Sequence, residues 1–170
     1  MDNIKKLKIE DSCLVGLNTF EDNRGIYRKL VSREILDYFN FEINEINYIN
    51  SNKNSLRGLH LQNSTIPCSK IFYCIEGKVT NLQLDTRETS KTYKNYLSTD
   101  LDSSSPFILY VPSGVATGFY FNEKSKIVYW QADYYQPEFE ECYNPSYFVE
   151  SLGLIDPIIS EKDLNADELK

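Results

Sequence analysis

Residues 70–85, KIFYCIEGKVTNLQLD, determine the fold class that the sequence predicts. The first half is a short, mostly apolar run, and the turn sequence EGK separates it from the second half. The second half alternates, with Leu82 and Leu84 on one side and Asn81 and Gln83 on the other. A period of two is that of a β-strand with one face in the core. The stretch therefore predicts two strands, the second with one face in solvent.

Similar short runs, separated by turn-forming residues, continue along the chain. The other predicted strands are residues 13–17, 25–31, 46–51, 56–62, 92–98, 107–111, 115–121 and 126–135. Many short strands at this spacing indicate a β-sandwich, jelly roll or barrel. A helix is predicted over residues 32–40 with Ser32 as its N-cap, and a short one is possible within 161–169. The predicted fold class is all-β with a few short helices.

Length and composition limit the functions that the chain can have. Its 170 residues, 41% of them hydrophobic, predict a single domain over residues 1–170. The formal net charge of -7 disfavours nucleic-acid binding and anionic membranes. Apolar runs fall far short of the roughly 20 residues that span a bilayer, and the first residues lack the apolar segment of a signal peptide. We therefore expect a soluble cytoplasmic protein.

The chemistry-bearing residues are few. There is one histidine, His60, which excludes a metal site built on several histidines. The four cysteines show no CxxC spacing and are expected to be reduced thiols. Glycine-rich phosphate loops are absent from the sequence, which removes the usual nucleotide-binding folds.

Three positions are candidates for chemistry, each with a plainer alternative. Alternation places Gly58, His60 and Gln62 on one face of a strand and Arg57 on the other. His60 is the only imidazole available for proton transfer, although it can also be a hydrogen-bonded structural residue. Lys70 is either a surface cation or a fixed charge that stabilises an oxyanion. The tyrosines of residues 126–135 either pack against other rings or include a general acid. Residues 161–163, by composition, are ordinarily a solvated acidic tail.

Several motifs occur in a fixed order over nearly the whole chain. They are FxDxRG at 20–25, RGLHxQ at 57–62, EGxV at 76–79, DxRxxS at 85–90, PxGxAxGF at 112–119 and DYY at 133–135. With these motifs the chain resembles the dTDP-4-dehydrorhamnose 3,5-epimerases, which act on nucleotide-linked 4-keto-6-deoxysugars in deoxysugar and lipopolysaccharide biosynthesis. The resemblance implies a cupin-like jelly-roll β-sandwich, usually a homodimer that exchanges strands between subunits.

The resemblance also implies the roles of the catalytic residues. His60 would be the base and Asp163 its partner, while Tyr129 returns a proton from the opposite face and Lys70 stabilises the enolate oxygen. This chemistry requires no metal and no redox cofactor. The partner expected is a nucleotide-sugar substrate, with no nucleic acid and no membrane. The matching binding residues are Arg24, Asn47, Arg57, Tyr135, Glu140 and Lys162.

Three positions depart from the family pattern. Thr117 replaces a histidine of PxGxAHGF that contacts substrate in the family, so sugar recognition or stereochemistry is expected to differ. Lys29 replaces a glutamate and Glu45 a glutamine near the nucleotide base. This exchange of donors and acceptors suits cytosine better than thymine, because cytosine presents an N4 donor and an N3 acceptor. The two changes lead to the hypothesis of a CDP-linked substrate, for example a 3,6-dideoxy 4-keto sugar.

Alternative functions remain open at this point. A 3,4-ketoisomerase uses the same proton-transfer logic on the same class of substrate. A non-catalytic sugar-nucleotide binding protein is compatible with Thr117, but it needs no acid–base set such as His60, Tyr129 and Asp163. A metal-dependent cupin oxygenase is disfavoured by the shortage of ligands. The favoured interpretation is an epimerase acting at C5, C3 or both.

Overall fold

The structure is a computed structural model that describes residues 3–169. It contains two facing β-sheets, with strands numbered in chain order. The first sheet has the order β1 (Ile4–Lys6), β2 (Cys13–Gly16), β10 (Phe107–Val111), β7 (Lys70–Glu76), β12 (Ser125–Gln131) and β5 (Glu45–Ser51). The second has the order β13 (Glu140–Cys142), β6 (Ser55–Gln62), β11 (Val115–Phe121), β8 (Lys78–Asp85) and β9 (Tyr96–Asp102), and β14 (Ile158–Ile159) pairs with β6.

The remaining elements lie outside these sheets. Strands β3 (Thr19–Asp22) and β4 (Gly25–Arg28) form a separate hairpin with exposed side chains. The helices are α1 (Arg33–Tyr38), α2 (Ser146–Ser151) and α3 (Glu161–Leu164). Within residues 3–169, no helix has the length and apolar character needed to cross a bilayer. The architecture is the expected jelly-roll β-sandwich with a few short helices.

Apolar side chains fill three layers. The central layer lies between the sheets and joins Phe72 and Ile127 of the first sheet to Phe119 and Phe121 of the second. A second cluster covers the outer face of the first sheet, where Ile35 of α1 is buried. A third covers the outer face of the second sheet and includes Phe148 of α2, Leu59 and Leu82. Both sheets are therefore covered on each face, and polar groups between them must be hydrogen-bonded or serve a site.

Several predicted elements coincide with the observed ones. Residues 70–76, 78–85, 107–111 and 115–121 are strands as predicted. Ser32 caps α1 by accepting a hydrogen bond from the Ile35 amide, although the helix ends at Tyr38. The four cysteines are free thiols, as expected.

The prediction of a strand at residues 92–98 was wrong in position, because β9 spans Tyr96–Asp102. The residues between β8 and β9 form a turn around the fully buried Asp85 carboxylate. This carboxylate accepts hydrogen bonds from Arg87, Ser90 and Thr92. The last predicted strand, 126–135, ends at Gln131. The C-terminal helix covers only Glu161–Leu164.

The prediction that one face of β8 is in solvent was also wrong. Asn81, Gln83 and Asp85 are 0% exposed, as buried as the leucines that alternate with them. Strand β8 is paired on both edges and lies between the central layer and the outer cluster. A polar face inside a sandwich needs partners there, and these polar side chains form hydrogen bonds with one another and with neighbours.

Candidate active site

His60 stands on β6 where two of the sequence motifs meet. A Cβ on Gly58, whose φ is +104°, would lie 2.7 Å from the Gly118 Cα and 2.8 Å from the Thr117 carbonyl oxygen. Only glycine tolerates this close approach of the RGLH and PxGxAxGF backbones. The pairing of β6 with β11 shifts register here, between Thr117 and Phe119. The two motifs are therefore one structural feature that sets the position of His60.

The same irregularity changes which side chains share a face. Leu56, Leu59 and Leu61 all pack in the outer cluster, so strict alternation fails at Gly58. Arg57 donates a hydrogen bond to Ser51 Oγ, 2.8 Å away on the facing sheet. The prediction that Arg57 points away from the face of His60 was therefore wrong, because the shifted register turns it toward the other sheet.

Asp163 holds the His60 imidazole from the far end of the chain. Its Oδ1 lies 2.6 Å from His60 Nε2, and its Oδ2 accepts a hydrogen bond from the Gly58 amide at 3.1 Å. Burial alone would raise the pKa of Asp163, but the hydrogen bonds from His60 and Gly58 outweigh it and lower this pKa. Ser160 caps α3 and accepts from the Asp163 amide, which fixes the backbone there. A carboxylate in this position keeps the imidazole hydrogen on Nε2 and leaves Nδ1 free as a base.

Glu140 on β13 lies on the other side of the imidazole. One of its oxygens is 3.6 Å from His60 Nδ1, and the other accepts hydrogen bonds from Lys162 and from the Tyr135 hydroxyl. Burial opposes ionisation of Glu140, but the hydrogen bond from Lys162, the nearby His60 and Tyr135 lower its pKa. The hydrogen bond that Lys162 donates to Glu140 raises the pKa of Lys162. Three residues predicted to contact substrate thus form one cluster beside His60.

Lys70 and Tyr129 line the facing sheet. Tyr129 packs against Phe72 in the central layer, with ring centroids 5.3 Å apart. Burial raises the pKa of Tyr129, with the charges of Glu45 and Glu140 adding to the effect. Burial lowers the pKa of Lys70. Among residues 3–169, no side chain forms a salt bridge or hydrogen bond with the Lys70 ammonium or the Tyr129 hydroxyl, so both groups are available to a ligand.

A polar row extends from this pair along the first sheet. Glu45 Oε1 accepts a hydrogen bond from the Tyr135 amide at 2.8 Å, and Oε2 lies 3.4 Å from both Asn47 Nδ2 and Gln131 Nε2. Asn47 pairs with Tyr129 in register. Tyr135 is 48% exposed, so it is accessible to a ligand. Gln131 was missed by the sequence reasoning, although its two-residue spacing from Tyr129 was the signal for it.

Thr117 is buried next to His60. It is the register partner of His60 on β6 and of Gln83 on β8. Its Oγ1 accepts a hydrogen bond from Asn81 Nδ2 at 2.8 Å. Asn81 and Gln83 were also missed as site residues, because their alternation with leucines was interpreted as a solvent-exposed face.

Two predicted binding residues lie elsewhere in the single chain. Arg24 is on the projecting β3–β4 hairpin, is 86% exposed at its side chain and pairs with Asp22. Lys29 is exposed and lines a surface cavity with residues of β2 and α1, including Gly16 and Arg33. Neither residue joins the cluster around His60 within one subunit.

A metal-compatible group of ligands is present in the site. The ligand atoms of His60, Glu140 and Cys142 all lie within 4.8 Å of one another. Burial raises the pKa of the Cys142 thiol, which opposes the thiolate form that binds zinc. The Lys162 ammonium on Glu140 also places a positive charge where a cation would bind. These features disfavour a metal ion at this group of ligands.

The fold and the site together define a class of protein. The protein is a cupin-like jelly-roll sandwich that holds a histidine–aspartate pair on one inner face and the half-buried Lys70 and the Tyr129 phenol on the other, which are the side-chain types of an acid–base enzyme. Sequence comparison then names the family. The sequence model of dTDP-4-dehydrorhamnose 3,5-epimerase matches residues 6–170, and the chain belongs to this family of sugar-nucleotide isomerases.

Individual relatives agree with this assignment. The dTDP-4-dehydrorhamnose 3,5-epimerase of Escherichia coli K12 is 26% identical over 98% of this chain and 96% of its own length. The crystal structure of the Elizabethkingia anophelis enzyme superposes with a TM-score of 0.85 at 28% identity, covering 98% of this chain and 95% of that one. The dTDP-6-deoxy-D-glucose-3,5-epimerase of Legionella pneumophila, solved with dTDP-4-keto-L-rhamnose, gives a TM-score of 0.87 at 25% identity, covering 98% and 92%.

Proposed function

We propose that the protein epimerises a nucleotide-diphosphate-linked 4-keto-6-deoxyhexose at C3, C5 or both. The C4 ketone acidifies the neighbouring C–H bonds, because the electrons left on carbon delocalise onto the carbonyl oxygen. His60 Nδ1 removes the proton, and the enolate forms. Tyr129 then gives its hydroxyl proton to the same carbon from the opposite face, and the ketone is restored. Both residues return to their starting states when His60 releases the proton that it removed and Tyr129 takes up a proton from solvent.

One observation carries this proposal: the 2.6 Å contact between His60 Nε2 and Asp163 on one inner face, with Tyr129 on the facing sheet. A binding protein would gain little from a histidine that is hydrogen-bonded to a buried aspartate. A positioned general base or acid contributes about 10²- to 10⁴-fold to a rate. The raised pKa of Tyr129 keeps the proton on its hydroxyl oxygen until a strong base, such as an enolate carbon, is presented.

Lys70 is the candidate for the enolate oxygen. Its ammonium forms no salt bridge or hydrogen bond within residues 3–169, so its hydrogens are free for a substrate oxygen. Burial lowers the pKa of Lys70, and a negative charge that develops nearby would raise it again. A donor aimed at an oxyanion in a buried site contributes roughly 3–4 kcal/mol of transition-state stabilisation.

The nucleotide is proposed to lie along the polar row that ends at Tyr135. The exposed ring of Tyr135 offers a stacking surface for the base, while Arg57 and Lys162 supply positive charge for the diphosphate. Glu45 is bonded to the Tyr135 amide, so its carboxylate is an acceptor at the edge of that surface. An acceptor suits the N4 amino group of cytosine, and we propose a CDP-linked substrate on this ground.

Nucleotide titration tests the choice of base. Isothermal titration calorimetry of the wild-type protein with CDP and dTDP is expected to show tighter binding of CDP. The Glu45→Gln variant restores an amide and is expected to shift the preference toward dTDP. Tighter binding of dTDP to the wild-type protein would refute the cytosine assignment and leave the epimerase assignment intact.

The protein is proposed to act as a homodimer with an exchanged hairpin. Phe20, Ile26 and Tyr27 on the β3–β4 hairpin are each 58–59% exposed, which is a large apolar surface for a projecting element. Exchange would deliver Arg24 and Lys29 to the partner's site, which they do not reach within one subunit. Light scattering is expected to give twice the subunit mass, and Ile26→Lys is expected to shift the protein toward monomer. A monomeric wild-type protein would refute the exchange.

Solvent exchange tests the reaction. The protein is incubated with a nucleotide 4-keto-6-deoxyhexose in D₂O, and the C3 and C5 protons are followed by NMR. Loss of the C5 proton alone, or of both protons, identifies a single or a double epimerase. His60→Ala is expected to abolish exchange while nucleotide affinity is nearly unchanged. Exchange at the wild-type rate in His60→Ala would refute the assignment of the base.

The same experiment distinguishes the alternatives. Migration of the carbonyl from C4 to C3 would identify a 3,4-ketoisomerase. Binding without exchange at either carbon would identify a sugar-nucleotide binding protein.

A further inference from the structure

A buried chain of hydrogen bonds ends at the active site. Gln83 Nε2 donates to Asn81 Oδ1 at 2.8 Å. Asn81 Nδ2 in turn donates to Thr117 Oγ1 at 2.8 Å and to the Gly118 carbonyl oxygen at 3.0 Å. Asn81 and Gln83 are both 0% exposed. The acid–base mechanism uses neither of these two amides.

The Gly118 carbonyl fixes the direction of the whole chain. A carbonyl oxygen only accepts, so Asn81 must present its amide nitrogen there, and its oxygen therefore faces Gln83. Thr117 Oγ1 then receives a hydrogen from Asn81, and its own hydroxyl hydrogen has to point elsewhere. Among residues 3–169, no acceptor forms a hydrogen bond with that hydrogen.

The free hydroxyl lies on the same face as the base. Thr117 on β11 is the direct register partner of His60 on β6 and of Gln83 on β8. Side chains of directly paired residues project on the same side of a sheet. The Thr117 hydroxyl is thus next to the imidazole, on the side where a substrate bound by His60 would lie.

Packing does not account for the amide at position 83. Gln83 Oε1 is buried and has no hydrogen-bond partner within the described residues 3–169. A buried acceptor without a partner lowers the stability of the fold, and a methionine would fill similar space without that cost. Residues that break this rule of polar satisfaction are concentrated at functional sites.

We propose that Thr117 donates its hydroxyl hydrogen to an oxygen of the bound sugar, and that Asn81 and Gln83 are positioning residues that hold this hydroxyl as a donor. The inference rests on the proposed function, because it requires a sugar beside His60. A 4-keto-6-deoxyhexose offers acceptor oxygens at C2, C3 and the C4 ketone.

Four variants test the proposal by the rate of C–H exchange in D₂O. Thr117→Val keeps the shape but removes the hydroxyl, and is expected to lower kcat/KM by about tenfold. Thr117→Ser keeps the hydroxyl and is expected to stay within about threefold of the wild-type protein. Asn81→Asp accepts a hydrogen bond from Thr117 and turns the hydroxyl away from the substrate. This variant and the double variant with Thr117→Val are expected to match the loss in Thr117→Val alone.

The kinetic constants identify the sugar oxygen. Donation to the ketone oxygen strengthens in the enolate, so its loss lowers kcat. Donation to a hydroxyl oxygen is present in substrate and transition state alike, so its loss raises KM. A Thr117→Val variant within about twofold of wild-type kcat/KM would overturn the proposal.

If the kcat/KM losses of the two single variants multiply in the double variant, the proposal is also overturned. Asn81 would then act on the fold and not through Thr117. If Asn81→Asp does not fold, the comparison of Thr117→Val with Thr117→Ser decides the donor role. His60→Ala, measured in the same experiment, tests the proposed function separately from the proposed role of Thr117. Exchange in His60→Ala refutes the proposed base, whereas an inactive His60→Ala beside a fully active Thr117→Val refutes only the role of the hydroxyl.

Discussion

Replacing Asp163 by asparagine should inactivate the site without unfolding it. In the wild-type protein, Asp163 Oδ1 accepts the Nε2 hydrogen of His60 at 2.6 Å, and Oδ2 accepts the Gly58 amide hydrogen at 3.1 Å. An asparagine has one acceptor and one donor for these two positions. The Gly58 N–H can only donate, so the asparagine must turn its oxygen to Gly58 and its amide hydrogens to His60.

This orientation reverses the imidazole tautomer. The asparagine amide would donate to Nε2, which must then be the unprotonated nitrogen, and the hydrogen moves to Nδ1. The nitrogen that should act as the base is then occupied. We expect kcat to fall by about 10³- to 10⁴-fold, the size of loss found when a histidine base is held in the wrong tautomer.

The assay is deuterium wash-in at C3 and C5, measured with saturating substrate, together with calorimetric titration of the free nucleotide. Glu161→Gln is the matched control, because it removes one negative charge from the same short helix at an exposed position. The control is expected to retain wild-type exchange, and both variants should bind nucleotide alike. An Asp163→Asn variant that keeps more than about a tenth of the wild-type rate would refute the tautomer argument.

Three further predictions address the facing sheet and the turn beside β8. Tyr129→Phe should keep proton exchange, because His60 can return deuterium to the face it deprotonates, but should lose inversion by about 100-fold as judged from NMR coupling constants. Lys70→Met should lower kcat by about 10²- to 10³-fold with little change in nucleotide affinity, and an unchanged kcat would exclude Lys70 from oxyanion stabilisation. Burial opposes ionisation of Asp85, but hydrogen bonds from Arg87 and its neighbours lower its pKa to about 2. Its contribution to stability, about 1–2 kcal/mol, should be complete above pH 4 and lost as the pH falls toward 2, and urea unfolding of wild type and Asp85→Asn should converge there.

The strands with regular alternation were predictable from the sequence. Strands β7, β8, β10 and β11 begin and end where the apolar patterns do. The orientation of β8 was not predictable, because a polar face buried between two sheets has the same pattern as a face in solvent. Alternation along the sequence identifies a strand, but it does not show whether solvent or another sheet covers the polar face.

The site was predictable only where it lies in motifs. Lys70 stands on a strand with regular alternation, so its face followed from periodicity, whereas His60 lies just beyond the irregularity at Gly58. Asp163 belongs to a segment whose composition is that of a solvated tail, and its burial depends on a contact made across more than 100 positions of sequence. The pairing of β14 with β6 brings that segment to the site, and two residues give too short a pattern to predict a strand.

The two carboxylates beside His60 differ in their other partners, and this difference assigns their roles. Glu140 is bonded to Lys162 and Tyr135, so its charge is largely offset by groups other than the imidazole. Asp163 has no cationic partner but His60 among residues 3–169, and its remaining hydrogen bonds come from neutral groups. In the proposed mechanism, Asp163 would therefore stabilise the imidazolium, whereas Glu140 would orient Lys162 and Tyr135. Since Asp163 occupies Nε2, the proposed mechanism requires the substrate carbon to approach Nδ1, on the side of the imidazole that faces Glu140.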